Sequence, residues 1–315
     1  MTVAQRERAS LLLDDDRETL RGLCGEAVLF DEPLARYTSW KIGGPADAWI
    51  TVESESRLCN IMRLCARRRL PWFVLGSGSN LLVGDGGIRG LVLRLAGDFT
   101  RVVVKHQNGV VDVDAGASAA MSQLTAKAAS AGAAGVASLA GIPGSVGGSL
   151  RMNAGTDREI GDFVREVWVQ SPGKPEPRAV TLQYYYRHTS LAADAIVSRV
   201  ALQFERGDPA AVRSEMQAKL VRRKRTQPIA LPNAGSCFRN PPNDSAARLI
   251  EACGAKGWRE GGAEVSPLHA NFVNNVRNAK AKDVAVLLAR VHRAVLDRFG
   301  IDLQLEVHLV GVFTA

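Results

Sequence analysis

The chain has 315 residues, of which 46% are hydrophobic and 23% charged, and a formal net charge of +8. This length and composition indicate an ordinary globular protein with room for two or three domains. A basic balance suits nucleic acid or an anionic small substrate. Because no aromatic residues accompany the dense basic run Arg222–Arg225, we expect no nucleic-acid partner.

Cysteine usage and the N-terminus indicate the compartment. Five cysteines, an odd number without a CxxC pair, argue against disulfides and a zinc site, so we expect no metal and a reducing cytoplasm. The run Leu11–Leu13 is cut off by three aspartates, which is not a signal-peptide pattern. The weakly apolar stretch 115–150 is broken by Pro143, so we expect no membrane association. Oligomeric state is not indicated, and a monomer is the working expectation.

The first 90 residues predict a helical extension followed by a β–α–β unit. Residues 1–25 can place their leucines on one side of a helix. Segments 48–52 and 71–75 are short apolar strands. Between them, 53–70 carries apolar residues at helical spacing and a basic C-terminal end that suits the helix dipole.

Short strands predominate from 90 to 207, around one Ala/Ser-rich helix at 117–131. The predicted strands are 90–95, 101–105, 110–115, 164–170, 178–182 and 196–204. Gly207 and Asp208 mark a boundary. Beyond it, the patterns predict helices at 209–225, 246–252 and 282–299 and a closing strand at 303–312.

The chain contains two glycine-rich stretches. Glycine has an entropic cost in folding, but its backbone freedom allows consecutive N–H groups to face a ligand. The two stretches are Gly76–Val83 (GSGSNLLV) and Gly141–Gly155 (GIPGSVGGSLRMNAG). The first fails the dinucleotide fingerprint because Leu81 stands where glycine is needed, and no G-x-x-x-x-G-K-[ST] occurs in the chain. The composition therefore indicates a different nucleotide-cofactor fold. A turn-rich connector between domains is the alternative.

A third block, Ala234–Pro241 (AGSCFRNP), follows the two glycine-rich stretches. Supporting blocks in matching order are KIGGP at 41–45, Tyr186-Arg187, GGAEVSPLHANF at 261–272 and the segment 305–311. Together these blocks, within residues 30–312, resemble the UDP-N-acetylenolpyruvoylglucosamine reductases, the MurB family of peptidoglycan synthesis. The short segment between Asn240 and Gly261 resembles the kind of member that lacks a tyrosine-bearing loop.

The resemblance implies an α+β fold: a two-lobed FAD-binding region of the vanillyl-alcohol-oxidase (PCMH) type and a smaller α/β substrate-binding domain. The implied division is a helical extension at 1–25, FAD-binding lobes at 26–90 and 91–207, a substrate-binding domain at 208–300 and a strand returning to the active site at 301–315. In the implied reaction, NADPH reduces FAD and leaves. UDP-N-acetylglucosamine enolpyruvate then enters the same cleft, takes hydride at C3 and a proton at C2, and becomes UDP-N-acetylmuramate.

The same resemblance implies that FAD is held by backbone groups of both glycine-rich stretches. The implied cofactor contacts are Gly76, Ser77, Gly78, Ser79, Asn80, Gly141, Ile142, Gly144, Ser145, Gly147, Gly148 and Asn153.

The matching blocks imply that Ser236 is the proton donor and that Arg187 and Glu306 are the other catalytic residues. A serine hydroxyl serves as an acid only because the intermediate is a strongly basic enolate. Arg187 would bind the enolpyruvyl carboxylate through its planar fork. Glu306, if buried, would have a raised pKa and donate to the enolate. The alternatives are a turn serine, a surface arginine and a solvent-facing glutamate.

Tyr186, Lys224 and Asn240 are implied as substrate contacts. Lys224 or Arg225 would reach the UDP phosphates, and a solvated helix end is the alternative. Cys237 is expected to point away from Ser236 if the segment is extended. Three other functions remain open at this point: another flavoenzyme of the same fold, a catalytically inactive nucleotide-sugar-binding relative, and a basic RNA-binding protein.

Overall fold

Residues 10–171, 174 and 176–313 are described by a computed structural model of the chain. Residues 1–9 of the predicted N-terminal extension lie outside the described residues. The α-helices are α1 (Asp14–Cys24), α2 (Glu55–Arg68), α3 (Met121–Ser130), α4 (Val146–Arg151), α5 (Pro209–Thr226), α6 (Ala246–Ala252) and α7 (Ala281–Phe299). No helix among these described residues is long and apolar enough to span a bilayer.

The strands fall into three sheets and two short pairs. In chain order they are β1 (Val28–Pro33), β2 (Pro45–Val52), β3 (Trp72–Val74), β4 (Leu81–Val83), β5 (Ile88–Leu95), β6 (Val102–Gln107), β7 (Val110–Gly116), β8 (Val164–Gln170), β9 (Arg178–Val180), β10 (Tyr184–Tyr185), β11 (His188–Thr189), β12 (Ile196–Glu205), β13 (Arg259–Glu260), β14 (Ala263–Val265), β15 (Val273–Asn275) and β16 (His308–Val310).

The first lobe is the sheet β1-β2-β5-β3, with β1 antiparallel to β2 and the other pairs parallel. Helix α2 begins where the Ser54 hydroxyl accepts a hydrogen bond from the Arg57 N–H at 3.3 Å. It ends at Arg69, whose φ of +55° stops the helix. The predicted β–α–β unit is present as β2–α2–β3, but its two strands flank β5 instead of pairing with each other.

The second lobe is the antiparallel sheet β6-β7-β12-β8-β9. One hydrophobic core joins the two lobes, since Ile50 and Leu93 of the first lobe share it with Val113 and Val200 of the second. Helix α5 also packs on this lobe, because Val212 is buried in the same core. The predicted boundary at 208 assigned that helix to the substrate domain, so the packing differs from the expectation.

The third unit is the sheet β13-β14-β15 with helices α6 and α7 around a separate core. Trp40 of the first lobe is buried in that core and donates its indole N–H to the Val273 carbonyl at 2.7 Å. Asp85, also of the first lobe, accepts from the N–H groups of Ala281 at 2.9 Å and Lys282 at 3.1 Å. A carboxylate from one lobe therefore caps the first turn of α7 in another unit.

The C-terminal segment returns to the first lobe, where β16 pairs in parallel with β4. The predicted strand over 303–312 is longer than the one observed. Before β16, the chain lies against the segment 237–239, with the Arg239 N–H donating to the Gln304 carbonyl at 2.8 Å. Since this segment changes partners between Gln304 and His308, it cannot form one continuous ladder.

Candidate active site

A cavity of about 840 Å³ lies where the three units meet. Its walls come from β3, both glycine-rich stretches, the loop after β10, the end of α5 and the segments around Ser236 and Glu306. This volume lies in the upper part of the range of small-molecule and cofactor sites. Residues far apart in the chain therefore face one shared cavity.

The first glycine-rich stretch forms a loop with unused donors. Gly78 has φ +60°, and a Cβ there would collide with the Tyr37 carbonyl oxygen, so only glycine fits. The guanidinium of Arg94 holds the Gly76 carbonyl. Within the described part of the chain, no N–H group of residues 76–80 has a hydrogen-bond acceptor. Consecutive free N–H groups at a cavity wall form a concave site for anionic oxygens.

The second glycine-rich stretch packs directly on the first. Ser79 Oγ donates to the Pro143 carbonyl at 3.0 Å. A Cβ on Gly144 would lie 2.9 Å from Ser79 Oγ, and a Cβ on Gly147 would lie 2.9 Å from the Ala117 Cβ. Gly144 allows the two loops to approach closely, and Gly147 allows the second loop to pack against Ala117. They give the cavity its shape at this wall.

The second stretch is not a continuous nest of N–H groups, which corrects part of the expectation. It contains the short helix α4, and Ser145 Oγ accepts from the Gly148 N–H at 3.4 Å. The N–H groups of Val146 and Gly147 donate to the carbonyls of Ala119 and Ala117 at 2.9 and 2.8 Å. Gly147 and Gly148 therefore line the cavity without offering N–H donors to a ligand.

Ten of the twelve expected cofactor contacts line the cavity, and Gly141 and Asn153 do not. Asn153 is buried, and its amide is used by the protein: it donates to the Tyr185 carbonyl at 3.0 Å and to Glu159, and accepts from the Gly161 N–H at 3.0 Å. Both N–H donors of the amide are thus used by the protein, and Oδ1 accepts one hydrogen bond. Contact between Asn153 and the cofactor stays a prediction.

The cavity fits a dinucleotide cofactor such as FAD. The free N–H groups of residues 76–80 suit a pyrophosphate. Apolar side chains of β3 and of Leu75 and Ile142 lie beside them and suit an aromatic ring system. Arg223 and Arg151, whose pKa values are lowered by burial, add positive charge to the same walls.

Ser236 faces the cavity because its neighbours are held in place. The Cys237 N–H donates to the Asn271 carbonyl at 2.8 Å, and the Cys237 carbonyl accepts from the Glu306 N–H at 2.8 Å. The Cys237 side chain is buried in the core of the third unit, and desolvation raises its pKa to about 12. The structure thus turns Ser236 to the cavity and Cys237 away from it, as expected.

Asn271 is a supporting residue that the motif analysis did not single out. Its side chain accepts from the Phe238 N–H at 2.9 Å and donates to the Phe238 carbonyl at 2.8 Å. The amide therefore pairs with the Phe238 backbone as a strand would. The block GGAEVSPLHANF, which contains Asn271, was the only sequence signal for this role.

Arg187 lies in the two-residue turn between β10 and β11 with φ +56°. Turn positions with positive φ usually carry glycine or asparagine, so this arginine is kept at some conformational cost. Its Nε donates to Glu306 Oε1 at 3.0 Å, its Nη1 to Glu159 Oε1 at 3.2 Å and its Nη2 to the Gly155 carbonyl at 3.2 Å. The guanidinium is thus fixed at the edge of the cavity.

Glu306 also lines the cavity, with its side chain 19% exposed. Burial raises the pKa of this carboxyl above its ordinary value, and the neighbouring Arg187 and Arg239 offset the rise only in part. The backbone is fixed by Asn80, whose Nδ2 donates to the Glu306 carbonyl at 2.9 Å and whose own carbonyl accepts from the His308 N–H at 3.0 Å. The structure thus agrees with the expected raised pKa.

The three expected substrate contacts lie outside the cavity lining. Tyr186 is 47% exposed, with the Arg187 guanidinium 4.8 Å from its ring centre. Asn240 Oδ1 accepts from the Ala246 N–H at 3.1 Å, near the start of α6. Lys224 is exposed, and Arg223 lines the cavity in its place. Contact between these three residues and a substrate remains a prediction that the geometry does not support directly.

Helical phase could have identified Arg223 from the sequence. Counting from the buried Val212, the position eleven residues later on α5 completes three turns and faces the same side. That position is Arg223, whereas Lys224 is rotated toward solvent. Glu159 carries no such signal, because its contact with Arg187 is tertiary.

Family profiles match both parts of the chain. The FAD binding domain matches residues 46–170, which include parts of both lobes and the two glycine-rich stretches. The C-terminal domain of UDP-N-acetylenolpyruvoylglucosamine reductase matches residues 227–310, which include Ser236 and Glu306.

Whole-chain comparisons agree with the profiles. The chain is 43% identical to UDP-N-acetylenolpyruvoylglucosamine reductase 2 of Symbiobacterium thermophilum, covering 89% of this chain and 91% of that protein. It is also 43% identical to UDP-N-acetylenolpyruvoylglucosamine reductase of Moorella thermoacetica, covering 90% and 93%. The crystal structure of UDP-N-acetylenolpyruvylglucosamine reductase (MurB) from Thermus caldophilus superposes with a TM-score of 0.77 at 36% identity, covering 90% of this chain and 97% of that one.

Proposed function

This chain belongs to the UDP-N-acetylenolpyruvoylglucosamine reductase family, and from that premise we propose that it is an FAD-dependent oxidoreductase of peptidoglycan precursor synthesis. Its substrate is the enolpyruvyl ether of UDP-N-acetylglucosamine, and its hydride donor is NADPH. The product is UDP-N-acetylmuramate.

The convergence of Ser236, Arg187 and Glu306 on one cavity carries the proposal. These three residues come from three separate parts of the chain and face the same space as the free N–H groups of residues 76–80. A flavin-dependent reduction of an enol ether needs three groups: an acid that gives a proton, a cation that binds the substrate carboxylate, and N–H donors that bind the cofactor phosphates. An inactive relative would have no reason to keep all three side chains at the cavity.

Residues 76–80 and the walls formed by Ile142 and β3 hold the cofactor. When bound there, FAD would supply the hydride for C3 of the enolpyruvyl group, with NADPH as the source. Close packing between Gly144 and Ser79 fixes the two cofactor loops relative to each other. The cavity walls exclude water around the reacting carbons, which strengthens the electrostatic interactions inside.

The side chains complete the reaction by handling charge and one proton. Arg187 binds the substrate carboxylate and neutralises the charge that develops as the C2–C3 double bond is reduced. Ser236 Oγ gives its proton to C2. Glu306, in its acid form, donates a hydrogen bond to the enolate oxygen. With hydride at C3 and a proton at C2, the enol ether becomes the lactyl ether.

Three further assignments accompany the proposed function. We place the enzyme in the cytoplasm, where NADPH is available and where five free cysteines stay reduced. We propose that the enzyme acts as a monomer. The two lobes serve the cofactor and the third unit the substrate, with α5 closing the cavity from the side of the second lobe.

Analysis of the product tests the proposal. The purified protein is incubated anaerobically with NADPH and the enolpyruvyl substrate, and the sugar nucleotide is identified by mass spectrometry. We expect the mass to rise by two hydrogens, with one deuterium incorporated at C3 from hydride-labelled NADPH. An unchanged sugar nucleotide, with NADPH consumed only in the presence of oxygen, would indicate an oxidase instead.

A further inference from the structure

The guanidinium of Arg187 lies between two carboxylates. Its Nε contacts Glu306 at 3.0 Å and its Nη1 contacts Glu159 at 3.2 Å. Both acidic side chains are largely buried, with 19% and 25% of their surface exposed. Glu306 lines the cavity, and Glu159 does not. Glu159 therefore reaches the site only through the arginine.

Glu159 is itself held by a buried amide. Asn153 Nδ2 donates to Glu159 Oε2 and, at 3.0 Å, to the Tyr185 carbonyl in the hairpin that carries Arg187. Asn153 also has an unusual φ of +42°, and its Oδ1 accepts from the Gly161 N–H at 3.0 Å. One amide thus joins the loop of Glu159 to the hairpin of Arg187.

On the basis of the proposed function, we propose that Glu159 and Asn153 are positioning residues, which hold the Arg187 guanidinium beside Glu306 and divide its charge between two carboxylates. A guanidinium that faced Glu306 alone would stabilise the ionised carboxylate. With a second carboxylate on the same cation, burial dominates at Glu306. The acid form that a proton-donating site needs is then retained.

The other groups around Glu306 do not supply this balance. Arg239 is cationic and lowers the pKa of Glu306, as Arg187 does. The buried thiol of Cys237 has a pKa near 12 and is neutral. The pKa of His308 is lowered by burial and by nearby Arg239 and Arg151, so this imidazole is neutral near pH 7. Among the described groups that contact Arg187 or shift the pKa of Glu306, Glu159 is thus the second carboxylate on the same cation. Burial raises the pKa of Glu159 itself, Arg187 opposes that rise and Asp162 adds to it.

The variant Glu159→Gln removes the charge and keeps the shape. We expect the bound flavin to lose its yellow colour with NADPH at an unchanged rate. The colour should return with the sugar nucleotide roughly tenfold more slowly, an effect of the size found for supporting residues of other sites. The cation then acts on Glu306 alone and lowers the pKa of its carboxyl. The acid form is lost earlier as pH rises, so the basic limb of the second half-reaction moves to lower pH.

Two further variants separate positioning from folding. Glu159→Asp keeps the charge but shortens the side chain, so we expect a slower second half-reaction with the pH profile of the wild type. Asp157→Asn, in the same loop, removes an exposed carboxylate that pairs with Lys219 and should change neither half-reaction. Thermal melting of all variants verifies that they are folded.

Two failures are distinguishable. If Glu159→Gln recovers colour at the wild-type rate with an unmoved pH profile, or if Glu159→Asp is fully active, Glu159 is not a positioning residue. If the wild type itself fails to react with the enolpyruvyl substrate, the proposed function is wrong, and the effect of Glu159 has no bearing on that result.

Discussion

Ser236 owes its position to neighbours whose backbone groups are fully used. Both the N–H and the carbonyl of Cys237 are bonded, to Asn271 and Glu306 respectively. The preceding Gly235 has φ +78°, a turn conformation that suits glycine. The hydroxyl is therefore presented to the cavity by the backbone and needs no side-chain partner.

Ser236→Ala should separate the two half-reactions. We expect full FAD content and normal bleaching by NADPH, because no argument places Ser236 in hydride uptake. Turnover of the enolpyruvyl substrate should fall by about 10²–10⁴-fold, the usual contribution of a general acid. Stopped-flow spectra of each half-reaction measure this. Full steady-state turnover would mean that another group protonates C2.

The reactivity of the Cys237 thiol tests the orientation of residues 236–238. Because burial raises the pKa of its thiol to about 12, almost no thiolate is present at pH 8. We expect iodoacetamide to modify the partly exposed Cys253 in the native protein and to leave Cys237 unmodified. Peptide mapping by mass spectrometry shows which cysteines react, and labelling in urea is the control. Rapid labelling of Cys237 in the native protein would mean that its side chain is accessible to solvent and does not lie in the core of the third unit.

The glycine loops are the elements on which the cofactor site depends. Gly78→Ala places a methyl group against the Tyr37 carbonyl at a φ of +60°, so the loop must shift. We expect a folded protein with a much lower FAD content, measured as the ratio of visible to ultraviolet absorbance.

The matched control for the loop is Gly109→Ala. Gly109 also has positive φ, +80°, but a Cβ there would meet nothing within 4 Å. This variant should lose only about 1 kcal/mol of stability and keep its FAD. Equal FAD content in the two variants would show that close approach at Gly78 does not shape the cofactor site.

The cap on α7 joins two units of the fold. Asp85→Ala leaves the N–H groups of Ala281 and Lys282 without their acceptor, so we expect a loss of about 1 kcal/mol in unfolding free energy. Asp208→Ala, which removes the local cap of α5, is a matched control with a similar expected loss. Urea titrations measure both. Unchanged stability in Asp85→Ala alone would mean that this carboxylate does not stabilise the first turn of α7.

Local patterns predicted most of the elements but not the contacts between them. Strand β8 and helix α6 have the expected bounds, because alternation and helical spacing are local signals. Helix α4 was not predicted, since glycines at 147 and 148 disfavour helix and only Ser145 and close packing stabilise it there. The predicted strand 303–312 was too long because its partners change along the segment.

The sequence predicted only those residues of the candidate site that lie within its motifs. The blocks identified Ser236, Arg187 and Glu306, which all line the cavity. Asn153 was expected to contact the cofactor, and a sequence does not show that the N–H donors of its amide are used by Glu159 and the hairpin. Glu159 was missed for the same reason, as it acts across a tertiary contact.

At the scale of the whole molecule, three units meet around one cavity. The first and second lobes share a core, and the third unit is joined to the first by Trp40, by Asp85 and by the return of β16. The three side chains that we propose as catalytic lie on different units, so the arrangement exists only in the complete fold. We therefore expect two successive reactions in a single cavity.

Visible absorption spectra under anaerobic conditions test whether both reactions take place in this cavity. The purified protein is recorded alone, after one equivalent of NADPH and then after addition of UDP-N-acetylglucosamine enolpyruvate. We expect a yellow protein that bleaches with NADPH and regains its colour with the sugar nucleotide. A yellow protein that regains colour only when oxygen is admitted, or a colourless protein that takes up no FAD, would contradict the account.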